Sequence, residues 1–224
     1  RLEVKKIRIH WPSLKLVVRY GLPSGIQNSV ISLANVFVQR NINEFKEFAT
    51  AGCAAYSRLE GFAFLPVTCF AQGLSTFVGQ NLGAEKYDRV KKGVSFGIIC
   101  SCVTAATIGL VSFIFAPQLI GIFRDDPEVI ACGALALRLQ CCTFPFQSFI
   151  VMSNMMQQVT GKTGPATFMA IARQGIFFIP CVLFLPMAFD VLGIQMAQAI
   201  SDLCTLLCAV PLQLYILKIV SRES

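Results

Sequence analysis

Four stretches of this 224-residue chain, 20–39, 61–84, 93–123 and 139–161, contain no Asp, Glu, Lys or Arg. Two more, 163–189 and 191–217, are interrupted only by Arg173 and by Asp202. A helix needs about 20 apolar residues to cross about 30 Å of hydrocarbon. Six such runs therefore predict six transmembrane helices. Composition agrees: 55% of residues are hydrophobic and 14% charged, where soluble domains carry about a quarter charged residues.

The same pattern narrows function. A net charge of +7 suits a nucleic-acid partner only when the basic residues share an accessible folded face. Here they lie between the apolar runs, so no nucleic-acid partner is expected. Ten cysteines show no metal-ligand spacing and read as small core residues. With His10, in the N-terminal tail, as the single histidine, HExxH is impossible and a Ser-His-Asp arrangement has no support, and no Walker A motif is present. The chain reads as no enzyme, without metal or cofactor. The opening "RLEVKKIRIHWPSLKLVV" has a basic start but lacks the apolar core and small-residue cleavage site of a signal peptide.

Sorting the loops by charge gives an orientation. One side collects Arg1, Lys5, Lys6, Arg8, Lys15, Arg19, Lys86, Arg89, Lys91, Lys92, Lys162, Lys218 and Arg222, and the other only Arg40, Lys46 and Arg124. Basic residues near span ends stay cytoplasmic. Both termini and the "GAEKYDRVKKG" turn are thus expected in the cytoplasm, at the inner (plasma) membrane. "LGAEK" and "TGKTGPA" punctuate helix ends, and "RDDPEV" supplies acids and a proline for a helix start. Pro23, Pro66, Pro145, Pro180 and Pro211 lie inside apolar runs, where each removes a backbone hydrogen bond and bends its helix.

Five motifs, "YGLPSGIQNSVISLANVFVQ", "YSRLEGFAFLP", "FVGQNLGAEKYDRVKKG", "MMQQVTGKTGPATFMAIARQGIFFIPCVLFLP" and "AQAISDL", in this order resemble the C-terminal half of the multidrug and toxic compound extrusion (MATE) family, bacterial branch. The resemblance covers essentially the whole chain. It implies an all-α integral membrane fold in which six transmembrane helices form one lobe of a MATE-type twelve-helix transporter of the MOP superfamily. The two lobes would alternate between inward-open and outward-open states. Residues 1–20 would be a cytoplasmic inter-lobe linker, 21–218 the lobe and 219–224 a cytoplasmic tail. Its partner would be an N-terminal lobe or a second half-chain.

Ionisable residues inside a membrane are functional candidates, because burying them is costly. Glu60 and Asp202 are the candidates for cation coupling. A carboxylate in a partly dry cavity holds a proton more readily than one in water, or binds Na⁺ with neighbouring oxygens. The resemblance supports the same role for Glu60, and for Asp202 as the acid of the last helix. Some members carry a further acid in the helix matching residues 20–39; this chain has none there. Arg58 and Arg173 are read as structural ion-pairing partners, and Asp190, in the short "FDVLG" turn, as solvated. Gln27, Asn28, Asn154 and Gln157 are substrate-cavity candidates, the first two pointing about 100° apart and the last two sharing a helix face. Phenylalanines supply apolar walls suited to flat organic cations.

The leading expectation is efflux of a small, organic, cationic substrate by antiport with H⁺ or Na⁺. Two alternatives stay open: a lipid-linked precursor flippase, and a non-transporting membrane half-protein that acts as an assembly partner.

Overall fold

A computed structural model describes residues 11–43, 47–123, 125–161 and 163–222. The described residues are almost wholly helical, without strands. Helix α1 runs Trp11–Asn43, α2 Glu47–Gly83, α3 Tyr87–Ile114, α4 Ala116–Gly121, α5 Pro127–Cys141, α6 Phe144–Val159 and α7 Thr163–Ile171. A π-helical segment, Ala172–Phe177, then leads into α8, Phe178–Arg222. Residues 1–10 of the expected linker and 223–224 of the expected tail lie outside the described residues; helix already covers 11–20 and continues to Arg222.

The stretches Thr50–Gly83, Tyr87–Ile114 and Gly164–Lys218 are long and apolar enough to cross a membrane. A fourth crossing is the pair α5 and α6, bent by 54°. At 1.5 Å per residue the 55-residue stretch would extend about 80 Å as one straight helix, far beyond a single crossing. It breaks at Asp190, whose φ of 48° and ψ of −132° are not helical, and so serves as two passages. Helix α1 is long enough to span but more polar, since Gln27, Asn28, Asn35 and Gln39 interrupt its apolar residues. With α1 the lobe has its six passages.

The bends trace to the sequence. Asp126 caps α5 by accepting from the Glu128 N–H at 3.0 Å, with Pro127 in the first turn. This helix starts well before the charge-free run at 139 and carries Arg138 within it. Pro145 has no N–H to offer the carbonyl four residues back, and the α5–α6 bend sits just before it; the Thr143 hydroxyl donates to the Gln140 carbonyl there at 2.9 Å. Pro180 lies three residues past the end of the π segment, and the carbonyl four residues before it, that of Ile176, falls inside that segment.

Packing is tightest where side chains are small. Helix α2 packs on α3 and on α5, and α3 on α6. Gly93 and Gly97 of α3 lie on α2: a Cβ at Gly97 would sit 3.1 Å from Leu74, and one at Gly93 would overlap the Phe77 ring. One apolar core joins Val78, Val90, Val94, Met152 and Ile216; another joins Val67, Ala105, Leu137 and Phe144, with Phe64 and Phe144 edge to face at 5.3 Å. Phe62, Phe96, Phe184 and Leu207 are exposed, as expected of residues turned to lipid.

Candidate cation site

Asp202 of α8 is fully buried, and an isolated carboxylate there would be costly. Three side chains converge on it. The Arg173 Nε, from the π segment, donates to Oδ1 at 2.7 Å; the Gln198 Nε2, one turn back on α8, donates to the same oxygen at 3.1 Å. The Gln140 Nε2, from the end of α5, approaches Oδ2 at 3.4 Å. The Ser201 hydroxyl donates to the Arg173 carbonyl at 2.6 Å, which anchors the π turn to α8. π-Turns in helices are frequent at functional positions.

Glu60 of α2 faces the same cluster. The groups around its carboxylate are Tyr56, one turn earlier on α2, Gln147 of α6, Arg173 and Asp202. Gln140 and Gln147 stand with Nε2 and Oε1 3.5 Å apart, so a chain of polar groups runs from Glu60 through α6 and α5 to Asp202. The Gln140 Oε1 is buried without a hydrogen-bond partner among the described residues, which leaves one oxygen available to a further donor or a cation. Glu60 also lines a cavity of about 120 Å³ with Asn35, Cys53, Tyr56, Gln195 and Gln198. Arg173 lines a second cavity, of about 200 Å³, with Gln27, Asn154 and Gln174.

Arg173 is ion-paired to Asp202, and Glu60 stands beside that pair as a second carboxylate. Nothing in this arrangement pairs a nucleophile with a base.

The sequence candidates divide. Glu60, Asp202 and Arg173 come together, with Arg173 bonded to Asp202. Arg58 stands apart: two residues from Glu60 it points about 200° around α2, is exposed, and lies by Phe123 and Ala51. Gln27 and Asn154 line one cavity, bonded to Thr167 at 3.2 Å and to the Ala166 carbonyl at 3.2 Å. Asn28 is exposed, as its 100° offset from Gln27 requires. Gln157 turns from that cavity to the Met169 sulfur, 3.1 Å away, while Gln158 takes the shared face and donates to Asn154 at 2.6 Å. Asp190 is exposed in its turn. Sequence reasoning passed over Gln140, Gln147, Gln198 and Tyr56; the two (i, i+4) spacings, Tyr56 to Glu60 and Gln198 to Asp202, were available signals.

Comparison with known proteins agrees with this architecture. Residues 23–183 match the MatE family model. The probable multidrug resistance protein NorM of Thermotoga maritima is 30% identical over 183 residues, covering 75% of this chain and 38% of that protein. The multidrug export protein MepA of Staphylococcus saprophyticus is 24% identical over 202 residues, covering 90% of this chain and 44% of that protein. The chain thus spans less than half the length of these relatives. The crystal structure of the Vibrio cholerae MATE transporter VcmN in the bent form superposes with a TM-score of 0.87 at 19% identity, over 96% of this chain and 49% of that one. The chain belongs to the MatE family, the multidrug and toxic compound extrusion transporters.

Proposed function

We propose that the chain forms the C-terminal lobe of a plasma-membrane efflux transporter that expels a small, cationic or amphipathic organic molecule in exchange for H⁺ or Na⁺. Glu60 takes the cation, and Asp202, held by Arg173 and Gln198, shapes the field around it. The observation that carries this reading is a second carboxylate, Glu60, set beside the Arg173–Asp202 ion pair and lining a cavity. A cation entering one conformation and leaving the other shifts the balance between them by its differential affinity.

The names of the relatives, multidrug resistance and multidrug export proteins, support an organic substrate. A fit to half of a MATE transporter supports a second six-helix lobe as partner. The charge asymmetry of the loops supports cytoplasmic termini.

The test is Glu60→Gln in the complete transporter, assayed in vesicles with an imposed H⁺ or Na⁺ gradient. Gradient-driven efflux is expected to be lost while expression persists, and the gradient that drives the unaltered protein names the ion. Unchanged efflux in the variant overturns the assignment.

A further inference from the structure

Helices α2 and α5 touch through two glycines near their first turns. A Cβ on Gly52 would lie 3.1 Å from the Gly133 nitrogen and 3.2 Å from the Val129 carbonyl; one on Gly133 would lie 3.1 Å from the Gly52 carbonyl. The residues beside these glycines are Cys53 and Cys132, both free thiols. The Cβ position of Gly52 is 3.4 Å from the Cys132 Cβ, and the two thiols are near enough to influence each other electrostatically. Such backbone proximity is what a disulfide requires.

A third side chain marks the place. Gln195 of α8 donates from Nε2 to the Cys132 carbonyl at 3.1 Å and to its sulfur at 3.2 Å. Gln195 is 6% exposed, and its Oε1 has no hydrogen-bond partner among the described residues. Gln195 and Cys53 line the same cavity as Glu60, so the pair lies at the edge of the candidate cation site. The end of the lobe that holds them is the one remote from the Lys86–Lys92 turn, the outer side in the orientation proposed above. That side is where disulfides persist.

We propose that Cys53 and Cys132 form a redox-modifiable pair whose disulfide pins α2 to α5 beside the Glu60 cavity. The oxidant is a small-molecule disulfide. The Cys132 thiolate, partly exposed where Cys53 is buried, attacks one sulfur of the oxidant; a mixed disulfide forms and one thiolate leaves. The Cys53 thiolate then attacks the Cys132 sulfur, the new S–S bond closes, and the second thiolate leaves. Two electrons pass from the cysteines to the oxidant, and the two thiol protons end on the released thiols. Cys53 precedes Glu60 by two helical turns on α2, so the bond fixes the helix that carries the carboxylate. Arrest of efflux by this bond rests on the transport reading; formation of the bond does not.

The experiment treats membranes containing the complete, unaltered transporter with oxidised glutathione, alkylates the remaining thiols and maps the peptides by mass spectrometry. The expected product is a peptide pair linked through Cys53 and Cys132 and released by dithiothreitol, with efflux falling several-fold and recovering on reduction. Cys132→Ser should abolish both the linkage and the sensitivity. Cys132→Ala serves as a second variant if the first misfolds. Two alkylated, unlinked cysteines after oxidation overturn the proposal. A linked peptide with unchanged efflux overturns the pinning and leaves the assignment of Glu60 to be judged by its own variant.

Discussion

Arg173 and Asp202 meet at 2.7 Å across the interior of the lobe, although 29 positions separate them in the chain. The aspartate side chain is fully buried and the arginine 15% exposed. Each side chain is at that depth because of the other. The pair gives little net stability over an apolar replacement, since the desolvation of two charges roughly cancels their attraction. Removal of one partner is a different matter.

Arg173→Gln leaves Asp202 buried with only amide donors, and is expected to lower the stability of the folded protein by about 3–5 kcal/mol. Asp202→Asn should cost less, because Glu60 remains near the guanidinium. The double variant Arg173→Met, Asp202→Leu should recover a large part of either loss. Thermal unfolding in detergent, run as a double-mutant cycle, checks this. A double variant no more stable than the singles would mean that the two charges do not compensate each other.

Glu60→Gln and Arg58→Gln should separate cleanly, although they lie on one helix two residues apart. The first removes the carboxylate that lines the cavity and should abolish gradient-driven efflux. The second alters an exposed side chain on the far side of α2 and should leave efflux at its original level. Equal losses in both would point to general damage to α2 rather than to coupling.

The turn between the last two passages rests on backbone proximity. A Cβ on Gly193 would lie 2.4 Å from the Leu185 carbonyl carbon and oxygen and 2.7 Å from the Pro186 nitrogen, atoms that no rotamer change can move. Gly193→Ala is therefore expected to fall among the severe single substitutions, on the order of 4 kcal/mol, with sharply reduced folded protein in fluorescence size-exclusion traces. Asp190→Gly should do the opposite: φ of 48° with ψ of −132° strains any residue with a side chain, and relief is worth about 1 kcal/mol. Wild-type behaviour in Gly193→Ala would mean that this turn is looser than the contacts show.

The membrane lobe was legible because charge is excluded from hydrocarbon, and four runs without charge plus two with a single charge each leave few alternatives. Asp202 and Arg173 were legible for the same reason, as rare charges inside those runs, and Glu60 as the acid directly before one of them. What the pattern could not supply was which arginine pairs with which acid. That depends on helix rotation, and the π segment at Ala172–Phe177 sets the direction of Arg173. Gln140 and Gln147 were missed because neutral amides in membrane helices carry no signal in composition; they became relevant only when the bend between α5 and α6 brought both to Asp202 and Glu60. The start of α5 at Pro127 was read from the acids and proline of "RDDPEV", whereas the charge-free run begins only at 139 because Arg138 lies within the helix. Arg138 is held instead by the Phe113 carbonyl, 3.3 Å from its Nε, and by the Phe113 ring.

The basic turn between α2 and α3 closes with a residue that its backbone does not favour. The Lys86 N–H donates to the Asn81 carbonyl at 2.9 Å and the Glu85 N–H to the Leu82 carbonyl at 3.1 Å, the paired bonds of a Schellman cap. The position between helix and turn is left-handed, and Glu85 occupies it with φ of 56°. Glycine is usual at that position because it has no Cβ to meet the carbonyl. Glu85→Gly should therefore raise stability by about 1 kcal/mol, seen as a higher midpoint in thermal unfolding, with efflux unaltered. A lowered midpoint would mean that the Glu85 carboxylate, among Lys86, Arg89, Lys91 and Lys92, offsets its backbone strain through charge, and raising the salt concentration should then reduce the difference between the two proteins.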